Sequence, residues 1–188
     1  MFGLVRYLIK NLDPNPEREG LRETPKRFIE AWQFWCSGAG IDPQSVLKVF
    51  EDGAEHYDEM IFQGSIPFWS NCEHHMAPFF GVAHIGYIPN GRIVGLSKIA
   101  RVTDILARRL QVQERLTVQI ADALMQGLTP LGVGVVLQAR HTCMESRGVQ
   151  KIGSITTTSS LIGNFREPAV RAEFMGFVHS ADRGIASV

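Results

Sequence analysis

The sequence predicts an α+β fold, and three observations point to it. Apolar residues recur at helical spacing through the first fifty positions, short β-like runs begin at Met60, and helical spacing returns between Ser97 and Leu128 before strand-like segments resume. The resulting order is helices, two strands, two helices, two strands and a terminal helix. That order is expected to give an antiparallel sheet with helices packed on one face, preceded by N-terminal helices.

Each element has a local reason. Leu4, Tyr7, Leu8 and Leu12 share a helical face that Asp13-Pro14-Asn15-Pro16 stops. Thr24-Pro25 reads as an N-cap followed by proline at the first helical position, and Phe28, Ala31, Trp32 and Trp35 continue that helix to Ser37-Gly38. A third short helix starts at Asp42-Pro43 with Val46, Leu47 and Phe50. Met60 to Phe62 and Phe79 to Ile88 read as strands, and Pro89-Asn90-Gly91 suits a tight hairpin. Ser97 to Leu110 and Gln113 to Leu128 form a helical pair through Ile99, Val102 and Leu106, then Leu116, Ile120 and Leu124. Thr129-Pro130 and Gly132 end the second. Val133 to Thr142 and Gly153 to Leu161, rich in Val, Ile and Thr, are two more strands, and Glu167 to Val178 is a terminal helix. A sheet of about four strands has open edges, for which oligomerisation is the natural cover.

The bulk numbers exclude several classes. The chain has 188 residues, 45% of them hydrophobic and 20% charged, enough for one domain with a real core plus a small helical appendage. Nineteen basic and nineteen acidic side chains cancel, so neither a nucleic-acid coat nor a polybasic membrane contact is expected. The apolar run at the N-terminus is short and broken by Arg6, which argues against a signal peptide or a membrane span and for a cytoplasmic address. Three cysteines are too few and too odd a set for a secreted disulfide scaffold.

Cys72-Glu73-His74-His75 puts a thiol, a carboxylate and two imidazoles in consecutive positions, and Cys143 lies near His141. Cys72 and His75 are spaced so that one turn can present sulfur and nitrogen to a single ion, with a third ligand expected from Cys143. Two thiolates and an imidazole suit Zn2+ better than magnesium or calcium, and three protein ligands leave a position for water. Two plainer readings stand beside this one: the cysteines as buried hydrophobes or a disulfide, and a closed structural site completed by His74 or His141. Cys36 reads as core, and His56, His84 and His179 as surface or satisfied histidines.

Gly95-Leu96-Ser97-Lys98-Ile99-Ala100-Arg101 offers a hydroxyl and two cations at a helix start, a pattern that fits phosphate and equally an ordinary capped helix with solvated charges. Arg147 brings a further cation close to Cys143 in the chain, and Arg27 is a weaker candidate. Glu114, beside Gln113, could accept N–H bonds from a guanine edge, although its place at a helix start is explained by the dipole alone.

At these residues the sequence closely resembles the GTP cyclohydrolase I family. The blocks that carry the likeness are Arg18-Glu19-Gly20-Leu21 with Thr24-Pro25-Lys26-Arg27, then Cys72-Glu73-His74-His75, then Gly95-Leu96-Ser97-Lys98-Ile99 with Arg101. Gln111-Val112-Gln113-Glu114-Arg115-Leu116 and His141-Thr142-Cys143-Met144 with Arg147-Gly148 complete them, in family order, between about Pro16 and Phe174. The resemblance implies Cys72, His75 and Cys143 as zinc ligands and His74 and His141 as the catalytic histidines. It implies Glu114, with Gln113 beside it, at the guanine edge, and Lys98, Arg101, Arg147 and Arg27 on the triphosphate. Ser97 falls at the ribose-phosphate region.

The same resemblance implies a tunnelling fold (T-fold), with residues 1–55 as an N-terminal helical region and 56–188 as the catalytic domain. Its partners would be GTP and further copies of the chain, commonly a decamer of two pentamers with sites between subunits. The implied reaction hydrolyses GTP with release of formate to give 7,8-dihydroneopterin triphosphate, the first step of tetrahydrofolate and pterin biosynthesis. Departures from the family pattern are Thr142, where bulkier residues are usual, Asn71, and a late start that shortens the expected N-terminal extension. Two competing functions are a T-fold relative acting on pterins or deazapurines, including a nitrile-reducing one with a reactive cysteine, and a zinc-stabilised nucleotide-binding assembly without turnover.

Overall fold

Helical spacing at the N-terminus is realised as α1 (Phe2–Leu12) and α2 (Thr24–Trp35). The structure is a computed structural model describing residues 1–51 and 54–185, and the chain divides into two compact units, Met1–Ser37 and Gly38–Val188. In the first unit α1 buries Val5 and leaves Leu4, Tyr7, Leu8 and Leu12 exposed. Its end is fixed by Asp13, whose carboxylate accepts from the Asn15 N–H at 2.9 Å and from Arg18 at 2.9 Å. The expected cap of α2 is off by one: Glu23 holds the N-cap, and Thr24 and Pro25 are the first helical residues.

The second unit opens on a single 3-10 turn at Pro43–Val46, where Asp42 accepts from the Gln44 N–H at 3.0 Å, so the third helix is shorter than its apolar spacing predicts. Then come β1 (Val49–Phe50), β2 (Ile61–Cys72), β3 (Ala77–Ile88), β4 (Ile93–Val94) and α3 (Leu96–Ala107). β5 (Leu110–Gln111), α4 (Gln113–Leu128), β6 (Gly132–His141), α5 (Thr142–Glu145), β7 (Ile155–Gly163) and α6 (Pro168–Ile185) follow. Five strands form one sheet in the order β5-β2-β3-β6-β7, and β1 pairs with β4 apart from it.

The architecture is α+β, with two corrections. The sheet is mixed: β5 runs parallel to β2 through Asn71↔Leu110 and Cys72↔Gln111, while the other pairs are antiparallel. Helices also cover both faces. Ile85, Tyr87, Val133, Val135 and Leu137 pack in the main core with Ile99, Val102, Leu116, Ile120 and Leu124 from α3 and α4. Val136 instead joins Phe165, Phe174 and Val178, the last two from α6. Side chains alternate along β6, so Val135 and Val136 point to opposite faces and α6 lies opposite α4. Gly86 and Gly134 leave room there, since a Cβ on Gly134 would come within 2.3 Å of Phe165.

Two further differences have local causes. The Asn90-Gly91 turn exists, with Gly91 at φ +66°, but leads into β4 rather than back onto β3, both of whose edges are taken by β2 and β6. β2 is far longer than Met60 to Phe62 because Ser65, at φ +56°, forms a bulge in place of a strand end. The bulge changes which face each residue serves: Phe62 packs toward α6, whereas Ile66, Phe68 and Cys72 belong to the α3/α4 core. One inserted residue thereby turns Cys72 to that side of the sheet.

Candidate active site and metal centre

Cys72 ends β2, and the next four residues turn back sharply into β3. The Met76 N–H donates to the Cys72 carbonyl at 2.8 Å, with Met76 itself at φ +50°. This turn is tied down outside the ligand positions. The Glu73 N–H donates to the Gln111 carbonyl at 2.9 Å, and the Glu73 carboxylate pairs with Arg115 of α4, which holds its carboxyl below the usual range. Arg115 in turn donates to Gln111 Oε1 at 2.9 Å. Glu73 is thus a fastener of the turn, and His74 and His75 project from it exposed.

Cys143 arrives from the other side of the sheet order, in α5 directly after β6. Thr142 anchors that junction by donating to the Pro78 carbonyl at 2.6 Å. That hydroxyl therefore joins the start of β3 to the start of α5. The outcome is a convergence of Cys72 Sγ, a His75 ring nitrogen and Cys143 Sγ, all within 4.8 Å of one another. His75 Nδ1 lies 3.7 Å from Cys72 Sγ, and His74 Nδ1 lies 3.9 Å from the same sulfur.

Donor chemistry supports a cation here. Burial first, and the neighbouring Cys72 second, hold the Cys143 thiol above its ordinary value, with Arg147 pulling the other way. A thiol so held resists becoming a thiolate unless a positive ion joins it, and buried Cys72 and half-buried Cys143 with one imidazole make a donor set that zinc accepts with a position to spare.

His141 closes β6 on the same face. Its ring stacks flat on Phe79, with centroids 4.7 Å apart and planes at 4°, across the Phe79↔His141 register pair. Its Nε2 lies 2.8 Å from Gln113 Oε1. Burial holds His141 below the ordinary imidazole value, and the charge of Glu114 opposes this. Gln113, 1% exposed, directs its amide nitrogen at the carbonyls of Leu137 (3.1 Å) and Thr156 (2.9 Å) and the hydroxyl of Thr158 (3.1 Å).

The structure thus brings Cys72, His74, His75, Cys143, His141, Gln113, Glu114 and Arg147 to one end of the α3/α4 layer. Ser97, Lys98 and Arg101 occupy the first turns of α3 without a hydrogen bond or ion pair to that group among the described residues. Arg27 belongs to α2 in the first unit. Sequence reasoning gave no role to Phe79, Arg115, Thr117 or Thr158. Only Arg115 left a signal, four residues after Gln111 on a helix start; the others act through strand register, which periodicity does not reveal.

A family model described as GTP cyclohydrolase I matches residues 2–179. GTP cyclohydrolase 1 of Janthinobacterium sp. (strain Marseille) is 56% identical over 178 residues, covering 94% of this chain and 90% of the relative. The protein of the same name from Nitrosospira multiformis is 52% identical over 182 residues, with 95% of each chain covered. That from Chlorobium phaeovibrioides is 51% identical over 177 residues, covering 93% of this chain and 78% of the relative. A solved structure, archaeosine synthase QueF-Like in the apo form, overlaps 55% of this chain and 93% of that one at 17% identity, with a TM-score of 0.45, too low to bear on function.

Proposed function

Since the chain belongs to the GTP cyclohydrolase I family, we propose that it is a zinc-dependent GTP cyclohydrolase I that releases formate from GTP and yields 7,8-dihydroneopterin triphosphate. The observation that carries the reading is the convergence of Cys72, His75 and Cys143 at the end of the sheet where β6 presents His141. Cys72, His75 and Cys143 are the ligands in this reading. Zinc, when bound, supplies Lewis acidity that makes hydroxide available near neutral pH.

The chain's own residues do the rest. Glu114, exposed at the start of α4, accepts N–H bonds from the guanine edge and so orients the imidazole ring of the purine toward the ligand cluster. Water adds to the carbon between the two imidazole-ring nitrogens, and His141 and His74 move protons to and from the departing nitrogen. A second hydrolysis frees that carbon as formate, and the ribose opens, rearranges and recloses on the exposed amines. Lys98, Arg101, Arg147 and Arg27 hold the triphosphate, with Ser97 at the ribose-phosphate region.

The T-fold assignment, with 1–55 as helical region and 56–188 as catalytic domain, belongs to the same reading. So does a homo-oligomer, a decamer of two pentamers with sites between subunits. Among the described residues β7 is an edge strand of the sheet, and that open edge supports the assembly. No helix among the described residues is long and apolar enough to cross a membrane, and a cytoplasmic enzyme opening tetrahydrofolate biosynthesis is the setting we assign. Incubation of zinc-loaded protein with GTP tests the proposal: formate and, after oxidation, a fluorescent neopterin are expected. Absence of both from fully metallated protein overturns it.

A further inference from the structure

The Gln113 amide can point only one way. Reversed, its oxygen would sit against two carbonyl oxygens, those of Leu137 and Thr156, with no hydrogen between them. The nitrogen therefore takes that side. Thr117 reinforces it: its hydroxyl donates to the Gln113 carbonyl at 2.7 Å, so the 2.6 Å contact between Thr117 and Thr158 is made by the Thr158 proton. The Thr158 oxygen is then left to accept from Gln113 Nε2 at 3.1 Å. The two hydrogens of the amide are shared among these three acceptors, all of which lie on its nitrogen side.

Its single outlet is Gln113 Oε1, an acceptor, 2.8 Å from His141 Nε2. An acceptor at that distance requires an N–H opposite. We infer that Gln113 is a positioning residue that works on the substrate only through His141, fixing that imidazole as the Nε2–H tautomer so that Nδ1 is its one proton-accepting atom. Phe79 holds the ring plane and Gln113 holds its rotation and tautomer. The inference rests on the proposed role of His141 for its consequence in catalysis, but the tautomer follows from the circuit alone. It also revises the expectation that the Gln113 side chain meets the purine, because both ends of the amide are occupied inside the protein.

Nitrogen NMR of zinc-loaded protein carrying 15N-histidine, at mildly alkaline pH and without substrate, decides the tautomer. The His141 resonances, identified by their loss in His141→Asn, are expected to show a protonated Nε2 and an unprotonated Nδ1. A protonated Nδ1 in the wild type overturns the inference, whether or not any variant folds. In Gln113→Met the two tautomers are expected to mix, with kcat falling about 100-fold and the KM for GTP nearly unchanged at equal zinc content. A rise in KM with kcat preserved would make Gln113 a substrate-binding side chain and also overturn it. Wild-type protein that releases no formate yet shows the expected spectrum would defeat the cyclohydrolase reading and leave the tautomer standing.

Discussion

Phe79 and His141 face each other across β3 and β6 with their rings parallel, 4.7 Å between centroids. The pair joins core to site, because Phe79 is fully buried and also packs edge-on against Phe68, whereas His141 is only half-buried. Replacing Phe79 by alanine is expected to lower stability by about 3–5 kcal/mol, as for other buried aromatic deletions. Phe79→Leu should restore most of that while leaving the imidazole without its flat support. Urea unfolding beside kcat checks this, and Phe79→Leu with full activity would show the stack to be idle.

Loss of one sulfur should abolish tight zinc binding. Cys143→Ser is expected to purify with little metal and to form no formate, whereas Cys36→Ser, altered at the C-cap of α2, should retain both. Metal analysis alongside GTP turnover is the check. Equal zinc in the two variants would remove Cys143 from the ligand set.

Acid should weaken the fold through His84. Its side chain is fully buried, its Nδ1 accepts from the Ser65 N–H at 3.4 Å, and Phe62 stacks over it at 6.3 Å. Nε2 lies 3.2 Å from Asp182 Oδ1, off the line needed for a hydrogen bond, so that nitrogen is buried without one. Burial holds the His84 pKa below the ordinary value, with Asp182 opposing. The unfolded chain takes up its proton near pH 6.5 and the folded chain only at lower pH. The stability that depends on neutral His84 is therefore complete above about pH 6.5 and declines as pH falls below it. His84→Gln should flatten that slope in urea midpoints measured against pH, and unchanged slopes would refute the assignment.

Gly81 should tolerate no side chain. A Cβ there would lie 1.8 Å from the Gln138 carbonyl oxygen, which is backbone and paired within the sheet. Gly81→Ala is expected to push β3 and β6 apart just below the Phe79 and His141 pair, lowering stability by about 1–3 kcal/mol and activity with it. Thermal melts and turnover test this together, and a variant with wild-type values would contradict the close approach.

The helical pair was legible because Leu116, Ile120 and Leu124 are both periodic and buried. The metal group was legible because its chemistry is concentrated in four consecutive residues plus one cysteine. The bulge at Ser65 was not, since a serine among Gly64 and Pro67 reads as a strand end, and only pairing with β3 turns it into an insertion. Helix α6 was expected but its face was not, because that depends on Phe165 and Phe174 filling the space above Gly86 and Gly134. In the sequence Gln113 stands out only through its neighbour Glu114, while its actual partners, Leu137, Thr156 and Thr158, lie on strands whose register no local pattern specifies.

The bulge at Ser65 has a consequence for how the protein matures. Shifted by one residue, β2 would turn its terminal sulfur to the α6 side, away from the imidazole and thiol it must join. Such a misthreaded chain could still be compact and largely helical, yet it would have nowhere to seat the ion. Under the zinc reading proposed above, metal retention therefore reports the alignment of β2, read out at the strand's last residue.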